Sequence, residues 1–129
     1  MGRPATAAAL PFSTEDGMVR IKRIYDPPAP ADGTRVLVDR LWPRGLAKDE
    51  ARIDEWLKEI APSDELRKWF GHDPARWEEF RERYRRELEA RTEILDRLRA
   101  LAGKGTVTLL FAAKDEKHNN AVVLKELLG

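Results

Sequence analysis

Hydrophobic positions along the chain keep a period of two in some stretches and of three to four in others, and the switches between these periods mark its elements. Over residues 18–25, Met18, Arg20, Lys22 and Ile24 alternate with Val19, Ile21, Arg23 and Tyr25, which predicts a first strand bounded by Pro27-Pro28. Residues 26–34 hold three prolines and Gly33 and read as a surface loop. The run Arg35-Val36-Leu37-Val38-Asp39 then has the continuous apolar character of an interior strand. Ile53, Trp56, Leu57 and Ile60 fall at i, i+3, i+4 and i+7, predicting a helix over 51–61 that ends before Pro62. Ser63 is a natural N-cap, followed by Asp64 and Glu65 at the positive end of the helix dipole, with Leu66, Trp69 and Phe70 facing inward and Gly71 as the stop. Asp73 caps the next helix with Pro74 at its first position, and the stripe Trp77, Phe80, Tyr84, Leu88 continues through Leu95, Leu98 and Leu101. After Gly103-Lys104-Gly105, residues 106–112 are the most strand-like of the chain and are expected at the centre of a sheet. A last helix carries Ala121, Leu124, Leu127 and Leu128 on one face.

The order strand, strand, helices, strand, helix specifies the α/β class: a single layered domain over residues 18–129, with a small, partly parallel sheet flanked by helices. The Ala-rich, Pro-punctuated residues 1–17 read as a poorly ordered tail.

Composition narrows the chemistry. With no cysteine and two histidines in 129 residues, disulfides, thiolate metal sites and cysteine nucleophiles are excluded, and neither a metal nor another cofactor is expected. Lys plus Arg number 24 against 23 acids, so a uniformly basic surface for nucleic acid is not expected. The arginine-rich face of the long helix pairs Glu79 with Arg83, Glu82 with Arg86 and Glu87 with Arg91 at i, i+4, the pattern of a solvated face. No apolar run reaches the roughly 18 residues of a membrane span, and the cytoplasm is the expected compartment.

Dense polar chemistry follows two of the strands. One segment is Val38-Asp39-Arg40-Leu41-Trp42-Pro43-Arg44-Gly45; the other is Ala112-Ala113-Lys114-Asp115-Glu116-Lys117-His118-Asn119-Asn120. If the strands are parallel neighbours, both open on the sheet edge where α/β proteins bind ligands. These segments, with Asp54-Glu55-Trp56 and Trp69-Phe70-Gly71-His72-Asp73-Pro74, resemble the YeaO-like family of small bacterial proteins, part of a broader group known as a domain of unknown function. The resemblance implies a compact α/β fold in a bacterial cytoplasm and supplies no activity. The wider group carries a Cys-His-Arg cluster after a late strand; here His118 matches the His, while Lys117 stands for the Cys and Asn119 for the Arg.

Arg40 and Arg44 bracket the stiff Trp42-Pro43 turn and, with Lys114 and Asn119, are the candidate anion-binding residues. His118 is the candidate general acid or base, oriented by Asp39 or Asp115, because imidazole titrates near neutrality. Trp42, Pro43, Asp115 and His72 are expected to shape the cleft, His72 chiefly as part of a packed turn. Two readings stay open: an anion-binding domain for a phosphate, nucleotide or nucleic-acid end, with acid–base chemistry through His118, or a non-enzymatic interaction or regulatory module, self-associating or docking through Trp42 or Trp69. The oligomeric state is not set by the sequence.

Overall fold

The computed structural model describes residues 19–128. The tail assigned to residues 1–17 lies outside them. Four strands form one sheet: β1 (Val19–Arg23), β2 (Thr34–Leu37), β3 (Glu55–Trp56) and β4 (Val107–Phe111). Their spatial order is β1-β4-β2-β3 and every pairing is parallel. The most strand-like segment, β4, is therefore central, in register with β1 from Val19 opposite Val107 to Arg23 opposite Phe111, and with β2 from Thr34 opposite Val107 to Leu37 opposite Leu110. All five β4 residues are buried, as a strand covered on both faces requires.

Alternation along β4 separates two clusters. Val107, Leu109 and Phe111 join Val36 and Val38 against α2 (Asp64–Phe70), α3 (Trp77–Glu89), α4 (Thr92–Lys104) and α5 (Asn120–Leu128), with Phe80, Tyr84, Leu88, Leu98 and Leu124 filling the layer. On the other face, Leu37 and Leu110 meet Ile24 and Ala51 under a cover of Trp42, Leu46, Ile53 and Trp56. The remainder of that face is polar. Buried Arg35 donates to Asp32 Oδ2 (2.6 Å) and to the carbonyls of Ala51 (2.8 Å) and Arg52 (3.0 Å), and the Thr108 hydroxyl donates to the Asp32 carbonyl (2.7 Å). Burial alone would raise the Asp32 pKa, but the Ala29 N–H, Lys22 and Arg35 outweigh it and hold the carboxyl below its usual range. Gly33 makes the tight entry into β2: its φ is +64°, and a Cβ there would sit 2.2 Å from the Thr106 carbonyl oxygen.

Two expectations from periodicity change. Residues 51–61 form no helix: a short α1 (Lys48–Ala51) ends on Arg52 at φ 49°, β3 follows, and a 3-10 turn spans Lys58–Ile60. The apolar residues serve opposite faces of the sheet, Ile53 and Trp56 one cluster and Leu57 and Ile60 the other, which a single helical stripe could not do. The long helical stripe is likewise broken after Glu89, where Arg91 leaves helical geometry and donates to the carbonyls of Glu59 (2.9 Å) and Ala61 (2.5 Å). The caps at Ser63 and Asp73 form as expected: Ser63 Oγ accepts from Leu66 N–H (3.1 Å), and Asp73 accepts from Ala75 N–H (3.0 Å) ahead of a 3-10 turn that leads into α3.

Candidate functional site

Because the sheet is parallel, the chain leaves β1, β2 and β4 on the same edge, and three loops converge there. Asp39, two residues past β2, joins two of them. Its Oδ2 accepts from Ala112 N–H at the end of β4 (2.9 Å), its Oδ1 accepts from Asn120 Nδ2 at the start of α5 (3.1 Å), and its carbonyl accepts from Trp56 Nε1 (2.7 Å). Asn120 also donates to the Val38 carbonyl (2.9 Å). Desolvation raises the Asp39 carboxyl above the ordinary range, opposed by these hydrogen bonds and by the field of His72. Both carboxyl oxygens act as acceptors, so Asp39 is a clamp between the loops.

His118 is oriented by Asp115. Its Nδ1 lies 2.8 Å from Asp115 Oδ2, while Asp115 Oδ1 accepts from the N–H groups of Lys117 (2.9 Å) and His118 (3.1 Å). These bonds, the imidazole first, hold the Asp115 carboxyl below its usual range. The edge of the His118 ring packs on Trp77 with centroids 5.2 Å apart. Nδ1 is thus engaged by the Asp115 carboxylate, and Nε2 has no hydrogen-bond partner among the described residues. His72 sits at the tip of the α2–α3 connection, exposed and in the left-handed region at φ 58°, beside Phe70 and within the field of Asp39.

The cations stand around this framework. The Arg40 side chain is partly buried, with Nη2 3.4 Å from the Ala61 carbonyl, Nε 3.8 Å from Asp64 Oδ1 and no hydrogen-bond partner on Nε. Arg44 is exposed; among the described residues, it and Arg52 are the two arginines whose guanidinium has no hydrogen-bond or ion-pair partner. Lys114 and Lys117 are also exposed, and no carboxylate among the described residues lies within ion-pair distance of either. Trp42 is fixed by donation from Nε1 to the Leu46 carbonyl (2.6 Å) and by edge packing on Trp56 (5.4 Å), and Pro43 beside it is buried. Asn119 is buried, donates to the Asp115 carbonyl (2.9 Å) and accepts from Val122 N–H (3.1 Å), the work of a helix cap.

Three contributors escaped the sequence. Asn120, rather than its neighbour Asn119, reaches Asp39. Arg23, at the end of β1, donates to the carbonyls of Ala112 (3.2 Å) and Ala113 (3.0 Å), and Tyr25 donates to the Arg44 carbonyl (2.8 Å). Counting three residues back from Val122 would have shown Asn119 to be the cap and freed Asn120 for another task; nothing in the local sequence marks Arg23 or Tyr25.

A family model described as the inactive DUF488-N3 subclade matches residues 18–129. The chain belongs to this family. It is 46% identical over 110 residues to the uncharacterized protein YeaO of Escherichia coli, covering 85% of this chain and 96% of that one. It is also 44% identical over 111 residues to an uncharacterized protein of Mycobacterium tuberculosis, covering 86% and 93%. No solved structure matches. The YeaO-like resemblance and the α/β class read from the sequence are thus borne out, and among the described residues no helix is long and apolar enough to cross a membrane.

Proposed function

We propose that this domain binds an anion at the C-terminal edge of its sheet, between the cations that follow β2 (Arg40 and Arg44) and the cations and imidazole that follow β4 (Lys114, Lys117 and His118). One observation carries the reading: Asp39 and Asn120 tie the two loops together, so positive groups far apart in sequence are kept on one edge, while Arg44, Lys114 and Lys117 have no carboxylate partner among the described residues. The geometry suits a phosphate or carboxylate group, for which a guanidinium fork and a lysine are complementary donors. Asn119, occupied as a cap, is left out of this set.

Binding without turnover fits the site better than catalysis. The family is described as an inactive subclade, Lys117 stands, by the resemblance, where the wider group carries a cysteine, and the oriented imidazole has no nucleophile bonded to it among the described residues. His118 is then an adjustable donor or acceptor to the anion, held by Asp115.

Thermal unfolding of the full chain with inorganic phosphate, pyrophosphate and citrate tests the reading. A bound anion raises the melting temperature by mass action. The rise is expected with at least one of these and is expected to vanish in Arg44→Ala, whose own melting temperature stays near that of the parent because the exposed guanidinium makes no hydrogen bond or ion pair among the described residues. A flat response to all three overturns the proposal.

A further inference from the structure

Among the described residues two large hydrophobic side chains are exposed, Tyr25 at 41% and Leu41 at 63%, and both border this same edge. Leu41 lies in the loop that carries Arg40 and Arg44. Tyr25 is fixed from two sides: its hydroxyl donates to the Arg44 carbonyl (2.8 Å), and the Arg23 guanidinium lies 5.2 Å from its ring centroid, itself pinned by the carbonyls of Ala112 and Ala113. An aromatic ring is thereby immobilised between the loop after β1 and the loop after β2, with a cation behind it and part of its surface in water. A single exposed apolar residue is ordinary on a protein surface. Two of them on the loops after β1 and β2, one locked onto the backbone of Arg44, whose guanidinium has no partner among the described residues, form a more particular arrangement. A ring already held still loses little freedom when a second flat ring packs on it.

Resting on the anion reading above, we propose that the ligand is a nucleoside phosphate, its phosphate held by Arg44 and the neighbouring cations and its base packed on Tyr25 and Leu41. Inorganic phosphate or a sugar phosphate would use the cations and leave the apolar pair in water. A base uses both, in the way that aromatic platforms beside basic groups hold nucleotides elsewhere. The same chemistry is offered by a free mononucleotide and by the phosphorylated end of a single strand.

Calorimetric titration of the full chain with inorganic phosphate, ribose phosphate, adenosine monophosphate and a short phosphorylated oligoadenylate decides the matter. Adenosine monophosphate is expected to bind about tenfold or more tightly than ribose phosphate, the size of effect that stacking of one base gives. Leu41→Ser, an exposed change that leaves the core untouched, is expected to shrink this ratio severalfold without altering the affinity for inorganic phosphate, and Tyr25→Phe, which keeps the ring, to preserve more of it than Tyr25→Leu. Equal affinity for the adenosine and ribose compounds, or a ratio indifferent to Leu41→Ser, overturns the nucleotide inference and leaves the anion reading standing. No binding of any of the four overturns both. Oligonucleotide binding well beyond that of the mononucleotide upholds the inference with a strand end as the source, and equal binding upholds it with the free nucleotide.

Discussion

The outer face of α3 and the C-terminal edge of the sheet are both rich in arginine, and they handle charge in opposite ways. On α3, Arg83 pairs with Glu79 and Arg86 with Glu82 one turn away, while Arg81 and Arg85 reach Glu126 on α5. At the sheet edge, Arg23 is spent on carbonyls, Arg40 is loosely held and Arg44 has no partner among the described residues. Neutralised arginines on a helix contribute solubility and small increments of stability. Cations that follow neighbouring strands and have no carboxylate partner among the described residues keep their field unneutralised there. The arginine-rich helix, the more conspicuous feature in the sequence, is therefore the less suited of the two to hold the proposed anion.

Removing the clamp should show the largest difference between them. Asp39→Ala strands Ala112 N–H and takes from Asn120 Nδ2 one of its two acceptors, and the loss of two charge-assisted hydrogen bonds, partly offset by relief of the desolvated charge, is expected to cost about 2 kcal/mol in chemical denaturation. The pH dependence has a definite sign. Because burial raises the Asp39 carboxyl, the native state holds that proton more tightly than the unfolded chain; the associated stability is fully present below the ordinary carboxylate value and is lost as the pH rises through the raised one. The penalty of Asp39→Ala should therefore be larger at the acid end of that window than at neutrality, and a penalty that grew with pH would contradict the assignment. Asp115, lowered by His118, behaves in reverse, its contribution lost as the pH falls through its depressed value.

Local signals account for what could be read in advance. Strand alternation at 19–23, the caps at Ser63 and Asp73, the Glu79–Arg83 and Glu82–Arg86 pairs on α3 and the buried run of β4 are each decided by residues close in sequence, and each appears where expected. Pairing between distant segments was less legible. Ile53, Trp56, Leu57 and Ile60 have helical spacing, yet the Leu57 N–H bonds to the Leu37 carbonyl and Asp54 accepts from Arg35 N–H, so contact with β2 overrides the period. The site follows the same division. The two polar loops could be named from sequence, but that Asn120 ties them to Asp39, and that Tyr25 and Arg23 brace them, depends on β1 lying beside β4.

Arg40 lies between the two regions and tests the boundary. Its Nε is buried with no hydrogen-bond partner and its contacts to Ala61 and Asp64 are long, so Arg40→Met, which keeps the stem, should leave stability within about 0.5 kcal/mol. Affinity for phosphate should fall about tenfold, the order of one charge-assisted hydrogen bond. If stability collapses while affinity holds, Arg40 belongs with the structural arginines. A smaller effect is expected at His72, whose left-handed backbone is costly for a side chain with a Cβ. His72→Gly relieves that strain against the entropy of glycine and should raise stability by about 0.5 kcal/mol, while removing an imidazole whose field reaches the clamp carboxylate should weaken anion binding. Destabilisation by His72→Gly would instead make the residue part of a packed turn.

The smallest effect belongs to the paired face. Glu79→Gln breaks the 2.5 Å contact to Arg83 and is expected to cost about 0.3 kcal/mol, shrinking further as salt screens the pair. Arg83 also lies 4.4 Å from the Trp69 ring centroid, which Arg76 approaches at 5.3 Å, beside an open groove of about 490 Å³ lined by Ser63, Trp69 and Glu87. Guanidinium groups thus pack on the half-buried indole. If Glu79 only neutralises Arg83, Glu79→Gln and Trp69→Leu should be additive to within about 0.3–0.5 kcal/mol. A coupling near 1 kcal/mol would mean that the carboxylate holds Arg83 over the ring as one network, and the distinction between a merely solvated helix face and an organised sheet edge would have to be withdrawn for that part of α3.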